Sequence, residues 1–116
     1  LVTSSDDHGA SWALAKDITA TSKPPGYGWI APIRNGIQLK SGRLAICADH
    51  IKGQWSAYPI THTVSSMIYS DDHGATWHWQ EQGSVDGAEA NECSFAQLPN
   101  ETLVLNSRNC ERPRVL

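Results

Sequence analysis

Positive charge is scarce in this sequence, and long apolar runs are missing. Nine Lys and Arg residues stand against twelve Asp and Glu residues among 116, which leaves a net charge of −3. A chain with this balance has no electrostatic means of attracting nucleic acid, so nucleic acid is not an expected partner. No apolar stretch approaches the roughly 20 residues that a membrane-spanning helix requires. A signal peptide is also absent, but the chain does not begin with Met, so this absence carries little weight.

Cysteine is sparse, with only Cys47, Cys93 and Cys110 in the chain. An odd and sparse set of this kind does not define a disulfide framework. Cys93 and Cys110 could pair across a hairpin, but buried free thiols are the interpretation that we favour. The tripeptide Asn100-Glu101-Thr102 is an acceptor for N-glycosylation, which would matter only in a secretory route.

Helical periodicity is missing as well, and this favours an all-β fold. Short apolar or alternating runs are separated by Gly, Asn, Asp and Pro, as in chains of antiparallel strands joined by turns. Residues 21–28 and 52–61 are predicted to be loops. Strands are predicted at residues 1–4, 12–18, 35–39, 43–48, 63–69, 76–80, 92–98 and 102–109.

One eight-residue string occurs twice. Residues 5–12 read Ser-Asp-Asp-His-Gly-Ala-Ser-Trp, and residues 70–77 repeat the string with Thr in place of the second Ser. The offset of 65 residues indicates that one supersecondary unit is repeated. Both copies fit the pattern Ser-x-Asp-x-Gly-x-x-Trp, which resembles the Asp-box of sialidases and related β-propellers.

This resemblance implies a partial six-bladed β-propeller in which each blade is a four-stranded antiparallel sheet. Residues 1–20 would form the end of one blade, residues 30–82 a complete blade, and residues 91–116 the first half of the next. We therefore expect an internal fragment of a longer propeller domain. Such a fragment should be inactive on its own and should fold poorly, because its strand edges remain open.

Each residue of the box pattern is expected to have a structural role. The Asp can accept backbone N–H groups of its own turn, the Gly supplies a positive φ, the Trp packs between strands, and the Ser bonds back across the turn. A calcium loop would need alternating ligands and a Glu at its twelfth position, which neither copy has. We therefore predict no metal site, with His8 and His73 exposed. The eight structural residues are Ser5, Asp7, Gly9, Trp12, Ser70, Asp72, Gly74 and Trp77.

Topology separates the two ends of a blade. The Asp-boxes join strands three and four, so residues that begin strand one or finish strand two lie at the opposite end. In the last predicted hairpin Glu92 begins strand one and Arg108 finishes strand two, and a turn near Asn100 brings the two together. Taken alone, such a pair is a rim ion pair worth about 0–1 kcal/mol.

The surrounding sequence gives this pair a second interpretation. Residues 91–98, Asn-Glu-Cys-Ser-Phe-Ala-Gln-Leu, and residues 103–108, Leu-Val-Leu-Asn-Ser-Arg, resemble a segment of the exo-α-sialidases that carries two active-site residues. The resemblance implies that Glu92 assists a nucleophilic Tyr and that Arg108 is one of three arginines that bind the sialic acid carboxylate. It also makes Asp49 and His50, at the end of a strand two, candidate substrate contacts. A solvated loop is the equally weighted alternative for those two residues.

Elementary chemistry agrees with these roles. A guanidinium binds a carboxylate through paired, charge-assisted hydrogen bonds, and sialic acid carries a carboxylate beside its anomeric carbon. That carboxylate would repel a carboxylate nucleophile, and sialidases are the exception that uses Tyr. A phenol with a pKa near ~10 needs a base, which a Glu can supply. The Tyr, the acid/base Asp and the other two arginines would lie outside this chain.

The sequence therefore predicts an exo-α-sialidase that releases terminal α-linked sialic acid with retention, and whose partners are sialylated glycans. No cofactor is implied, the oligomeric state is left open, and a secreted, periplasmic or lysosomal location is favoured over a cytosolic one. The alternatives are a propeller that binds sialic acid without a nucleophile and a structural Asp-box propeller that binds protein. Glu92 argues against the first, because a lectin needs no base, and the presence of both Glu92 and Arg108 argues against the second.

Overall fold

Short antiparallel strands dominate the computed structural model, which describes residues 1–29, 34–52, 63–81 and 90–109. A single helical turn, α1 (Thr19–Ser22), precedes the strands. The all-β class predicted from the sequence is confirmed. The strands of the described residues are β1 (Tyr27–Trp29), β2 (Ile37–Gln38), β3 (Leu44–Lys52), β4 (Thr63–Ser70), β5 (His78–Glu81), β6 (Ala90–Gln97) and β7 (Leu103–Asn109).

The larger sheet is an antiparallel meander centred on β3 and β4. The two strands pair from Leu44 opposite Ser70 to Ile51 opposite Thr63. β5 pairs with the other edge of β4. β1 and β2 both pair with the remaining edge of β3, β1 near its end and β2 near its start, so together they fill one strand position. The sheet therefore has four strand positions in chain order, which is the layout of a propeller blade.

β6 and β7 form a second sheet that lies against β3 and β4. They are joined by a tight turn in which Asn100 Oδ1 accepts the N–H of Thr102 at 3.2 Å. The turn end of this hairpin is fastened to the larger sheet by Lys40, whose N–H donates to Gln97 Oε1 at 2.9 Å. The Lys40 ammonium also donates to the carbonyl of Pro99 at 2.7 Å. These two hydrogen bonds hold the hairpin and the larger sheet together at the end that carries the turns.

Because side chains alternate along a strand, the larger sheet packs on both faces. On one face Ala48, Ile68 and Trp77 form a buried core, and Val2 and Ile18 of the N-terminal segment pack against it. On the other face the odd-numbered residues of β3 meet β6, and Ser65 Oγ of β4 lies 2.7 Å from Ser107 Oγ of β7. β4 is consequently buried almost throughout, as expected for a strand covered on both sides.

The Asp-box turns are closed networks of side-chain and backbone hydrogen bonds. In the second box Ser70 Oγ accepts the N–H of Gly74 at 2.7 Å and donates to Asp72 Oδ1 at 2.8 Å. Asp72 in turn accepts the N–H of Thr76 at 2.8 Å, and its other oxygen accepts the Thr76 hydroxyl. The same bonds join Ser5, Asp7, Gly9 and Ser11 in the first box.

The backbone of each box turns through two consecutive left-handed residues. The positive φ predicted for the glycines is confirmed, at 87° for Gly9 and 91° for Gly74. The preceding residues, His8 and His73, also have positive φ, at 60° and 57°, which the sequence pattern did not indicate. Both His side chains are exposed in the turns, as predicted.

The two boxes differ in how their Trp residues pack. Trp77 is 5% exposed, and its indole N–H donates to the carbonyl of Gly74 at 3.0 Å. Trp12 is 64% exposed, so the packing between strands that was predicted for it is not seen among the described residues. The reason is that the first box is flanked only by the isolated bridge between Val2 and Lys16, whereas the second box closes a full sheet.

Two other predictions about the elements need correction. Residues 21–28 are not simply a loop, because they contain the end of α1 and the start of β1. β3 runs to Lys52, four residues beyond its predicted end at Ala48, because its last residues pair with both β1 and β4. The turn of α1 is supported by Asp17, whose Oδ1 accepts the N–H of Thr19 at 2.8 Å.

Removing the hydroxyl of Ser70 should destabilise the protein. Ser70 is fully buried and bonds both Gly74 and Asp72, so we expect Ser70→Ala to lower the free energy of unfolding by about 1–3 kcal/mol. Ser94→Ala is the matched control, because Ser94 is exposed on β6. Chemical denaturation measures both variants, and equal losses for the two would contradict the role given to Ser70.

The box carboxylates should make stability depend on acid pH. Hydrogen bonds from the Ser11 side chain and N–H, and from Ser5, lower the pKa of Asp7 from 3.8 to about 2, and the bonds from Thr76 and Ser70 lower the pKa of Asp72 further. A carboxyl group whose pKa is lower in the folded than in the unfolded state stabilises the protein at any pH above its unfolded-state pKa. This stabilisation is lost as the pH falls from the unfolded-state pKa to the folded-state pKa. Thermal unfolding between about pH 2 and 5 should therefore show a smaller loss of stability for Asp7→Asn/Asp72→Asn than for the unchanged protein.

Candidate functional site

Glu92 occupies a distorted position near the start of β6. It lies within the β-bulge that shifts the register between Asn91 and Ser94, and its φ is 46°. A non-glycine residue held in the left-handed region is strained, and such residues are concentrated at functional sites. Bulges also redirect side chains relative to a regular strand. The bulge therefore turns the Glu92 side chain in a direction that an ordinary β-strand residue would not have.

Arg108 lies on the neighbouring strand, directly opposite the bulge. In the ladder it is the partner of Asn91, and its Nη1 lies 2.9 Å from Glu92 Oε1. The side chains of Arg108 and Glu92 are 46% and 37% exposed. The juxtaposition predicted from the hairpin is confirmed. Because both groups reach solvent, a charged ligand can approach the guanidinium without unfolding the strand pair.

The structure places this pair and the second Asp-box at opposite ends of the molecule. The box follows Ser70, which pairs with Leu44 at the start of β3. Glu92 instead lies beside Asp49, five residues further along β3. Five residues of extended strand span about 17 Å. The prediction that the boxes and the charged pair occupy different ends is therefore confirmed, and we refer to the end with Glu92 and Arg108 as the site end.

Asp49 is buried directly beneath the bulge. Asp49 is only 3% exposed, and its Oδ2 accepts the backbone N–H of Glu92. Its Oδ1 is also buried and has no hydrogen-bond partner among the described residues. Burial raises the pKa of Asp49, while the N–H groups of Glu92 and Cys93 oppose that shift.

His50 points to the other face of the sheet. It is fully buried, its Nδ1 bonds Ser66 Oγ, and its Nε2 lies 3.4 Å from the carbonyl of Ser22. Burial lowers the pKa of His50, which favours the neutral ring. The rings of Tyr27 and Trp79 surround it, with centroids at 6.3 and 5.8 Å. The solvated-loop alternative is therefore wrong for Asp49 and His50, and direct contact with substrate stays a prediction that their burial does not favour.

A disulfide bond joins the two sheets next to Glu92. Cys47 of β3 and Cys93 of β6 are bonded, with their Cα atoms 5.7 Å apart. This overturns both sequence interpretations, because Cys93 is neither a free thiol nor available to Cys110, which lies outside the described residues. Cys47 and Asp49 are alternate residues, so both point toward β6. The pairing could have been found by considering cysteines on two sheets that pack together, whereas the prediction considered only pairs within one hairpin.

The site end thus combines an exposed guanidinium, an exposed carboxylate and a rigid support beneath them. Such a pair can bind an anion through Arg108 and accept a proton at Glu92. The described residues contain no group of three or more His, Cys, Asp or Glu side chains suited to a metal ion. Among those residues there is also no helix of the length and apolarity that crossing a membrane would require.

The folded chain first defines a class of protein: a propeller-type sheet with two Asp-box turns at one end and a charged pair at the other. Comparison with known proteins agrees with this class. The family model of BNR repeat-like domains matches residues 1–116. The chain belongs to this family of BNR repeat-like domains, and the sialidases are its relatives within that family.

Three of these relatives illustrate the extent of the similarity. Sialidase-4 of Mus musculus is 31% identical over 112 residues, covering 89% of this chain and 23% of that protein. Sialidase-3 of Rattus norvegicus is 34% identical over 105 residues, covering 84% of this chain and 24% of that protein. A sialidase of Micromonospora viridifaciens is 31% identical over 121 residues, covering 96% of this chain and 16% of that protein. The chain therefore spans about a quarter or less of the length of these relatives.

The strained backbone of Glu92 predicts an unusual response to substitution. Glycine accepts a φ of 46° without strain and a β-branched residue does not, so Glu92→Val should be less stable than Glu92→Gly by about 1–3 kcal/mol. Both variants lose the ion pair with Arg108, so their difference does not contain that contact; the unfolded-state entropy of Gly acts in the opposite direction and makes the expected difference a lower bound. Chemical denaturation gives the difference, and equal stability of the two variants would show that the bulge is not strained.

Proposed function

We propose that this chain forms part of the catalytic propeller of an exo-α-sialidase, which hydrolyses terminal α-linked sialic acid from glycans with retention at the anomeric carbon. The observation that carries the proposal is the placement of Glu92 in a strained bulge, 2.9 Å from the exposed guanidinium of Arg108. Strained non-glycine residues are concentrated at functional sites, and Glu92 lies in a strand bulge, unlike His8 and His73, whose positive φ belongs to the box turns. The sialidase names of the relatives support the same substrate class.

Arg108 is proposed to bind the carboxylate of sialic acid. Its guanidinium can donate two parallel hydrogen bonds to a carboxylate, which fixes the orientation of the sugar as well as its charge. One nitrogen contacts Glu92, and the described residues offer the guanidinium no other hydrogen-bond partner. Binding of sialic acid would therefore use donors that none of the described residues occupies.

Glu92 is proposed to act as the base that activates a nucleophilic Tyr. The substrate carboxylate repels an anionic nucleophile, whereas a neutral phenol can approach the anomeric carbon and transfer its proton as it attacks. A carboxylate held beside the phenol accepts that proton and returns it when the glycosyl intermediate is hydrolysed. The guanidinium of Arg108 and the bulge together hold the Glu92 side chain at the surface where a Tyr from another blade can meet it.

The remaining parts of such a site are proposed to come from other blades of the complete protein. These are the nucleophilic Tyr, an acid/base Asp and two further arginines. We propose that residues 30–82 are one complete blade, that residues 1–20 and 91–116 belong to its two neighbours, and that the whole propeller has six blades. Asp49 and His50 were candidates for substrate contact, and their burial favours internal roles instead.

The proposed function is tested by kinetics of the complete protein on an aryl sialoside. We expect Arg108→Ala to lower kcat/KM by about 100- to 1000-fold, because a charged donor aimed at the substrate is lost. Glu92→Gln should lower kcat more than it raises KM, because the amide cannot accept the Tyr proton. Proton NMR of the first-formed sugar should show retention of the α anomer.

A matched control separates these effects from general loss of an ion pair. Arg43 pairs with Asp71 at 2.7 Å at the box end, so Arg43→Ala removes a comparable Arg–carboxylate contact far from the site. Its turnover should equal that of the unchanged protein. Binding of sialosides without hydrolysis would favour a sialic-acid-binding propeller, and absence of both would favour a structural one.

A further inference from the structure

The backbone of Glu92 needs an external support. A φ of 46° places this residue outside the regular strand conformation, and the bulge leaves both Glu92 and Cys93 without a paired residue in the ladder. Left-handed non-glycine residues persist only where surrounding contacts fix them. The Glu92 side chain contacts Arg108 of its own hairpin, whereas the contacts to the backbone of the bulge come from β3 of the neighbouring sheet.

The first contact is the carboxylate of Asp49. Its Oδ2 accepts the N–H of Glu92 itself, from a side chain that solvent barely reaches. The second carboxylate oxygen is buried with no partner among the described residues, an arrangement that is unfavourable for stability. A buried carboxylate with one oxygen that no described residue contacts is difficult to explain as a stabilising device, so its bond to Glu92 is the feature that requires explanation.

The second contact is the disulfide of the adjacent residue. Cys93 follows Glu92 directly and is bonded to Cys47, which lies two residues before Asp49 on the same face of β3. One strand therefore holds two consecutive residues of the bulge, one through a hydrogen bond and one through a covalent bond. We call Asp49 and Cys47 the β3 clamp.

We propose that Asp49 is a positioning residue for Glu92, and that the β3 clamp fixes the bulge in the conformation that presents the Glu92 carboxylate beside Arg108. The chemical role of Glu92 is taken from the proposed function, whereas the clamp itself depends only on the observed contacts. Because Asp49 is buried, its proposed action is through Glu92 and not through contact with the sugar.

The test uses Asp49→Ala and Asp49→Asn in the complete protein, with two measurements. The first is amide hydrogen exchange of the peptide that contains Glu92 and Cys93. The second is the kinetics of aryl sialoside hydrolysis. Asp49→Ala should speed exchange in that peptide and lower kcat by about 10- to 100-fold while KM stays within about twofold, because a base is misplaced and no substrate contact is lost. Asp49→Asn keeps an oxygen acceptor and should restore most of both properties.

Ser65→Ala is the matched control. Ser65 is opposite Asp49 in the ladder, is equally buried, and bonds across the same interface, but its partner is Ser107 of β7. It should lose some stability without a selective change in kcat or in exchange at Glu92. If Asp49→Ala behaves like Ser65→Ala in both measurements, the positioning role is overturned.

The covalent half of the clamp is tested by Cys47→Ser, again in the complete protein. We expect faster exchange in the peptide that contains Glu92, with a further loss of kcat when Asp49→Ala is added. Unchanged exchange in the double variant would overturn the clamp. If the complete protein hydrolyses no sialoside, the proposed function fails, and the exchange measurement alone then decides the clamp: faster exchange upholds it and unchanged exchange overturns it.

Discussion

The alternation of side chains along β3 is the constraint on which the rest of the structure depends. Odd-numbered positions send Cys47 and Asp49 toward the next sheet, and even-numbered positions send Ala48 and His50 toward the N-terminal segment. Because the period of a strand is two, a shift of one residue would exchange these sets and could place His50 where Asp49 now lies. The register of a single strand therefore fixes both neighbouring interfaces and the support of the charged pair.

The sequence was most informative where the structure is local. The repeated box predicted a closed turn, and the positive φ of Gly9 and Gly74 follows from the short-range bonds within each box. The meeting of Glu92 and Arg108 was also predictable, because a two-stranded hairpin with a short turn leaves little freedom in which residues face each other. These inferences required only the pairing of segments that are neighbours in the chain.

Contacts between sheets were not predictable in the same way. The bond between Cys47 and Cys93 spans 46 residues, and nothing in the local pattern of either strand indicates the partner. The burial of His50 depends on α1 and on the rings of Tyr27 and Trp79, which come from three different segments. The left-handed backbone of Glu92 likewise results from contacts with β3, so a prediction based on strand propensity could not include it.

The separation of the boxes from the site end also has a consequence for sequence change. Every hydrogen bond within the second box lies among residues 70–77, so the turn keeps its shape whatever sequence occupies the other end of the strands. Substitutions near Asp49 and Glu92, at the site end, leave those bonds intact. The site end can therefore change its side chains while the repeated box turns keep their shape.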